Sequence, residues 1–119
     1  MKAKLFLLKA DFTDLKISDD SMKYFCPHCA FIEGLLSYYP KLRQELEINY
    51  VDFQRPRKEI VEILGENNQS CPSLIIERDL VDAETLLELK SYSNFMFTND
   101  TRIIAKYFHK QFKIGIEHP

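Results

Sequence analysis

Two of the chain's three cysteines stand in Cys26-Pro27-His28-Cys29. Proline suits the first position of a helix, where its missing N–H is one that a helix start leaves unpaired anyway, so this segment reads as a helix opening with Cys26 at the N-cap. Both sulfurs then share one turn, close enough for a disulfide or for two ligands of one metal. The two are not equivalent. Cys26 sits at the positive end of the helix dipole, within reach of free first-turn amides, which favours its thiolate and makes it the nucleophile. Cys29, one turn deeper, is the resolving thiol. The third sulfur belongs to Cys71-Pro72, ahead of the strand-forming run Ser73-Leu74-Ile75-Ile76-Glu77. There it can be a small buried apolar residue, a third redox thiol, or a metal ligand joined to Cys26 and Cys29. With no second Cys-x-x-Cys, a closed zinc site has weak support.

The composition narrows what surrounds these residues. At 119 residues the chain suits a single domain over 1–119, and 45% apolar with 29% charged residues is the make-up of a folding chain rather than a disordered one. Sixteen Lys and Arg against eighteen Asp and Glu give a net charge of −2, so no basic excess draws the chain to nucleic acid or anionic lipid. The apolar run Leu5-Phe6-Leu7-Leu8 is too short for a signal-peptide core, and nothing later approaches a membrane span. The expected compartment is the cytoplasm, where thiols are kept reduced and cysteine spacing is read as chemistry rather than as a structural framework.

The elements that position the motif follow from pattern. Lys4-Leu5-Phe6-Leu7-Leu8-Lys9 predicts an interior strand. A long polar loop from Asp11 to Tyr24 follows, and loops of that length are often functional. The helix opened by Pro27 is expected to carry Ala30, Phe31, Leu35, Leu36 and Tyr39 on its apolar face and to break at Pro40. Leu46 to Phe53 predicts a second strand, parallel to the first. A helix from Pro56 then carries Ile60, Val61 and Leu64 and ends at Gly65. After Cys71-Pro72 comes the third strand, and Ala83 to Lys90 reads as a short helix within an ambiguous stretch. Asn94 to Thr98 predicts a fourth strand, and Asn99 or Asp100 caps a final helix bearing Ile103, Ile104, Tyr107, Phe108 and Phe112. His109 and His118 have no partner at metal-ligand spacing and read as surface residues.

These residues resemble the thioredoxin-like superfamily, which pairs a first-helix Cys-x-x-Cys with a cis-proline before the third strand; Pro72 is the matching proline. The likeness covers nearly the whole chain. It implies an α/β thioredoxin-like fold with a central, mixed, four-stranded sheet flanked by helices, a cis Cys71–Pro72 bond, and Cys71 opposite the helix start, so that three sulfurs would converge. The segments Tyr24-Phe25-Cys26-Pro27-His28-Cys29-Ala30, Arg55-Pro56-Arg57 and Asn68-Gln69-Ser70-Cys71-Pro72 further resemble an uncharacterised family inside that superfamily. DsbA-type oxidases share the Pro-His pair, which implies that His28 donates to the Cys26 thiolate. A couple as oxidising as theirs, near about −120 mV against a cytosolic poise of roughly −220 to −320 mV, would face a gap on the order of 5 to 9 kcal/mol and stay reduced. Net disulfide donation in the cytoplasm is therefore disfavoured.

The expected function is a thiol-disulfide oxidoreductase with no resident cofactor, acting on protein or peptide disulfides. Cys26 attacks, Cys29 resolves, Pro27 and His28 shape the helix start, and Cys71 and Pro72 line the substrate groove. Asn99, Asp100 and Thr101 resemble the segment that holds the glutamyl end of glutathione in glutaredoxins, so the same residues also allow a glutathione-dependent enzyme. Arg55, Arg57 and Lys58 can bind an anion such as a glutathione carboxylate, though such a run is more often a solvated face. Outside catalysis, the chain can be a metal or cluster carrier using Cys26, Cys29 and Cys71, or a redox-silent adaptor on the same fold.

Overall fold

A computed structural model describes residues 2–119. The strands are β1 (Lys4–Leu8), β2 (Glu47–Val51), β3 (Ser73–Glu77), β4 (Lys90–Tyr92) and β5 (Phe95–Thr98). They form one open sheet in the order β2-β1-β3-β5-β4. β1 and β2 run parallel, in the register Leu5 to Ile48 and Leu7 to Tyr50. The remaining pairs, β1 with β3, β3 with β5 and β4 with β5, are antiparallel. The helices are α1 (Pro27–Tyr38), α2 (Leu42–Glu45), α3 (Lys58–Leu64), α4 (Ala83–Leu86) and α5 (Thr101–Phe112), with a 3-10 turn at Arg78–Leu80. Among the described residues no helix is long and apolar enough to cross a membrane.

Successive strand residues point to opposite faces, and that alternation sorts the core into two layers. Leu5, Leu7, Leu74 and Ile76 face one way and meet Ile32 and Leu36 of α1 with Ile104 and Phe108 of α5. Phe6, Ile75 and Phe97 face the other way and pack with Ile60 and Leu64 of α3. The first helix thus lies on the face opposite α3, and its start is aimed at one end of the central strands.

The sheet has five strands, not four. Tyr92 pairs with Phe95 across Ser93-Asn94, and Ser93 takes the left-handed conformation (φ 54°) that a two-residue hairpin turn requires. Lys90, Ser91 and Tyr92 are all exposed on the sheet edge, so they carry no alternation of buried and polar residues by which a strand is recognised. The apolar face of α1 is also shifted: Cys29, Ile32 and Leu36 are buried, whereas Ala30 and Phe31 are exposed. The α3 helix begins at Lys58 rather than at Pro56, with Arg57 as its N-cap, and the Arg55–Pro56 bond is cis. Gly65 ends it at φ 79°, a conformation that glycine adopts without penalty.

Candidate active site

The motif folds as its proline demands. Pro27 opens α1, and Cys26 is the N-cap. The Cys29 amide donates to Cys26 Sγ at 3.2 Å, so the sulfur occupies the place a serine or aspartate oxygen takes in an ordinary cap. Cys26 is half-buried, and its Sγ also lies 3.9 Å from the Cys71 carbonyl oxygen.

Cys29 is 4% exposed, and its Sγ accepts the Leu8 amide at 3.4 Å, which ties α1 to the end of β1. Burial pushes its thiol far above the ordinary range, and its contact with Cys26 adds to the shift, while the Leu8 N–H works against it. Cys26 faces the surface and Cys29 the interior, the asymmetry expected of an attacking and a resolving thiol.

Cys71 stands across from them at the cis Cys71–Pro72 bond, as the resemblance implied. It presents its carbonyl to Cys26, while its side chain packs among both apolar layers. Burial pushes its thiol up to about 11, against the opposing charge of Arg57. Only Cys26 and Cys29 are neighbours through their sulfurs, so the expected convergence of three does not occur, and all three cysteines are free. Among the described residues no three His, Cys, Asp or Glu side chains gather as a metal-ligand set. His28 is exposed on the first turn and makes no hydrogen bond to Cys26, whose sulfur contacts the Cys29 amide and the Cys71 carbonyl instead.

The loop carrying Cys71 is clamped from two sides. Asn99 Nδ2 donates to the Ser70 and Pro72 carbonyls at 2.9 and 3.1 Å. Gln69 is gripped by Arg57, whose backbone N–H donates to Gln69 Oε1 at 2.7 Å and whose Nη1 donates to the Gln69 carbonyl at 2.8 Å. Asp100 caps α5 through the Arg102 and Ile103 amides, and Thr101 is the first residue of that helix. Arg55 and Lys58 are exposed as expected, but Arg57 is buried. His109 is engaged too, one ring nitrogen lying 2.7 Å from the Ile114 carbonyl.

The long loop ahead of Cys26 is a closed excursion. Phe12 and Tyr24 exchange backbone hydrogen bonds at its base, and the Phe12 ring stacks on Phe53 at 4.4 Å. Within it, Asp14 and Asp19 accept amides two residues on, in the short turns aspartate favours. It displays Leu15 (73% exposed), Ile17 and Met22, with Phe25 (63%) next to Cys26. Beside the cysteine pair opens a cleft of about 460 Å³, walled by Leu7, Leu8, Phe25, Ala30, Glu33 and Tyr50. That volume suits a side chain or small ligand.

A family model described as a protein of unknown function (DUF3088) matches residues 2–115. No curated protein and no solved structure matches the chain.

Proposed function

We propose that this chain, which belongs to the DUF3088 family of proteins of unknown function, is a thiol-disulfide oxidoreductase on a thioredoxin-like fold. The observation that carries the reading is the half-buried Cys26 sulfur at the N-terminus of α1, accepting the Cys29 amide at 3.2 Å, with a second, buried thiol one turn behind it. The sheet supports the fold assignment: a parallel β1–β2 pair, then β3 and β5 antiparallel beside it, with β4 as an added edge strand.

The Cys26 thiolate attacks one sulfur of a substrate disulfide, forming a mixed disulfide and releasing the other sulfur as a thiolate that takes up a proton. Cys29 then loses its proton and attacks Cys26 Sγ. The second substrate thiol departs and a Cys26–Cys29 disulfide remains, two electrons having passed to the substrate. An external dithiol restores the pair. In the cytoplasm, the compartment proposed for the protein, this direction of electron flow is the favoured one.

The substrate proposed is a protein or peptide disulfide rather than glutathione. Asn99 is already committed to the Ser70 and Pro72 carbonyls, and the Asp100 carboxylate fills the amides of the α5 start that would otherwise hold a glutathione carboxylate. Arg57 is buried among carbonyls, which leaves only Arg55 and Lys58 as exposed cations of that run. Exposed Phe25 beside Cys26, and exposed Leu15, Ile17 and Met22 on the loop that leads to it, offer apolar area to a larger partner. With a dithiol as reductant, the expected result is faster reduction of a two-chain peptide disulfide than deglutathionylation of a peptide of similar size. Rapid deglutathionylation with no comparable peptide turnover would replace this reading with the glutathione-dependent one.

A further inference from the structure

The cleft beside the cysteine pair is a different place from the groove at Cys71 and Pro72: neither of those residues borders it, whereas Cys26 and Cys29 both do. It lies between α1, which presents only the small Ala30 between Cys29 and Glu33, and the end of β1, beyond which Asp11 takes the left-handed conformation (φ 63°). One wall is braced. Tyr50 stands on β2 opposite Leu7, its hydroxyl donates to Glu33 Oε2 at 2.8 Å, and Arg43 donates to Glu33 Oε1 at 2.8 Å. A wall held in this way is preformed, so little ordering is lost when the cleft is filled.

The lining carries carbon surface from Leu7, Leu8, Phe25 and Ala30, and its charged groups are the carboxylates of Asp11 and Glu33; no lysine or arginine borders it. Glu33 is paired with Arg43, while Asp11 joins no ion pair among the described residues. An adjoining hollow that shares Ala10 and Asp11 holds Lys9 and Lys23, and of these Lys9 is paired with Asp52 at 3.2 Å. A substrate joined to Cys26 is fixed at the edge of the cleft, and the residue next to its own cysteine is one Cα–Cα step away, about 3.8 Å. We infer that the cleft is a specificity subsite for the side chain of that neighbouring residue, taking an aliphatic or aromatic side chain and refusing an acidic one. An apolar side chain entering it removes carbon surface of both partners from water. A carboxylate entering instead loses hydration beside Asp11, with no cation there to receive it.

This inference rests on the oxidoreductase reading and narrows its substrate. The test uses the full-length chain, a dithiol as reductant, and two-chain peptide disulfides with blocked ends, glycine throughout except for Ala, Leu, Gln or Glu immediately before or immediately after each cysteine. Each kcat/KM is divided by the rate of the same disulfide with the dithiol alone, which removes the neighbour's effect on the disulfide's own reactivity. In at least one of the two placements, Leu is expected to exceed Ala by about 10- to 100-fold and Gln to exceed Glu by about 3- to 10-fold. Ala30→Leu, at an exposed helix position that leucine suits, pushes carbon into the cleft and should cut the Leu-over-Ala ratio to below about 3-fold. Asp11→Asn keeps a residue that accepts the left-handed conformation and should lower the Gln-over-Glu ratio by about twofold or more. Equal values for Leu and Ala in both placements, or ratios that these two variants leave intact, would overturn the subsite. Failure of the wild type to reduce any of the peptides would overturn the oxidoreductase reading, and the subsite with it.

Discussion

Cys26→Ser is expected to abolish disulfide reduction, while Cys29→Ser is expected to stop it after one step. A serine hydroxyl is not ionised at neutral pH and cannot displace a sulfur, so the first variant should lose turnover by on the order of a thousandfold or more. The fold should survive, since Cys26 is a half-buried cap and serine is itself a preferred N-cap residue. In Cys29→Ser the attacking sulfur and its amide donor are intact, because the bond to Cys26 comes from the backbone N–H of residue 29. The mixed disulfide with substrate should then form and accumulate, to be seen as a mass increase equal to the substrate thiol less two hydrogens. If Cys26→Ser captured substrate through Cys29 instead, the assignment of attacking and resolving thiols would be reversed.

The reduced protein is also expected to lose stability steeply above pH 9. Cys29 and Cys71 are both pushed up from the ordinary thiol value of 9.0 by burial, Cys71 to about 11. Below pH 9 both the folded and the unfolded chain hold these protons, and pH has no leverage through them. Above pH 9 the unfolded chain releases them while the folded chain retains them, so the unfolded state gains and stability falls. At about 1.4 kcal/mol per unit, Cys71 alone accounts for a loss of roughly 2 to 3 kcal/mol once the pH passes its folded value. Cys29 adds to it. Urea unfolding midpoints at pH 7, 9 and 10.5 should therefore fall less in Cys71→Val than in the wild type. Parallel declines in the two proteins would show that Cys71 does not hold its proton in the folded state.

The legible parts of this fold were those decided by local chemistry. Pro27 determines where α1 begins and so places Cys26 at its N-cap, and Asp100 caps α5 through side-chain bonds that a sequence pattern anticipates. Tertiary placement was much harder to read. The buried stripe of α1 is Cys29, Ile32 and Leu36 because Cys29 is drawn onto the end of β1, which leaves Ala30 and Phe31 outward. Nothing in β4 marks Lys90-Ser91-Tyr92 as a strand until Phe95-Met96-Phe97 pairs with it. Arg57 sits in a run of cations that reads as solvated surface, yet its partners are carbonyls at Phe53 and Gln69, invisible to any pattern of charge. Asn99 is a comparable case, its amide reaching Ser70 and Pro72 from the end of the neighbouring strand β5.

The central claim, a reversible redox pair at Cys26 and Cys29, is tested most directly by equilibrating the full chain in dithiol-disulfide buffers of graded potential, quenching in acid, and mapping the linked cysteines by mass spectrometry. The account predicts a single two-electron transition in which two hydrogens are lost on oxidation and the peptide linkage joins Cys26 to Cys29, with Cys71 remaining alkylatable after unfolding. A chain that stays fully reduced across the range, or whose linkage runs through Cys71, would contradict it.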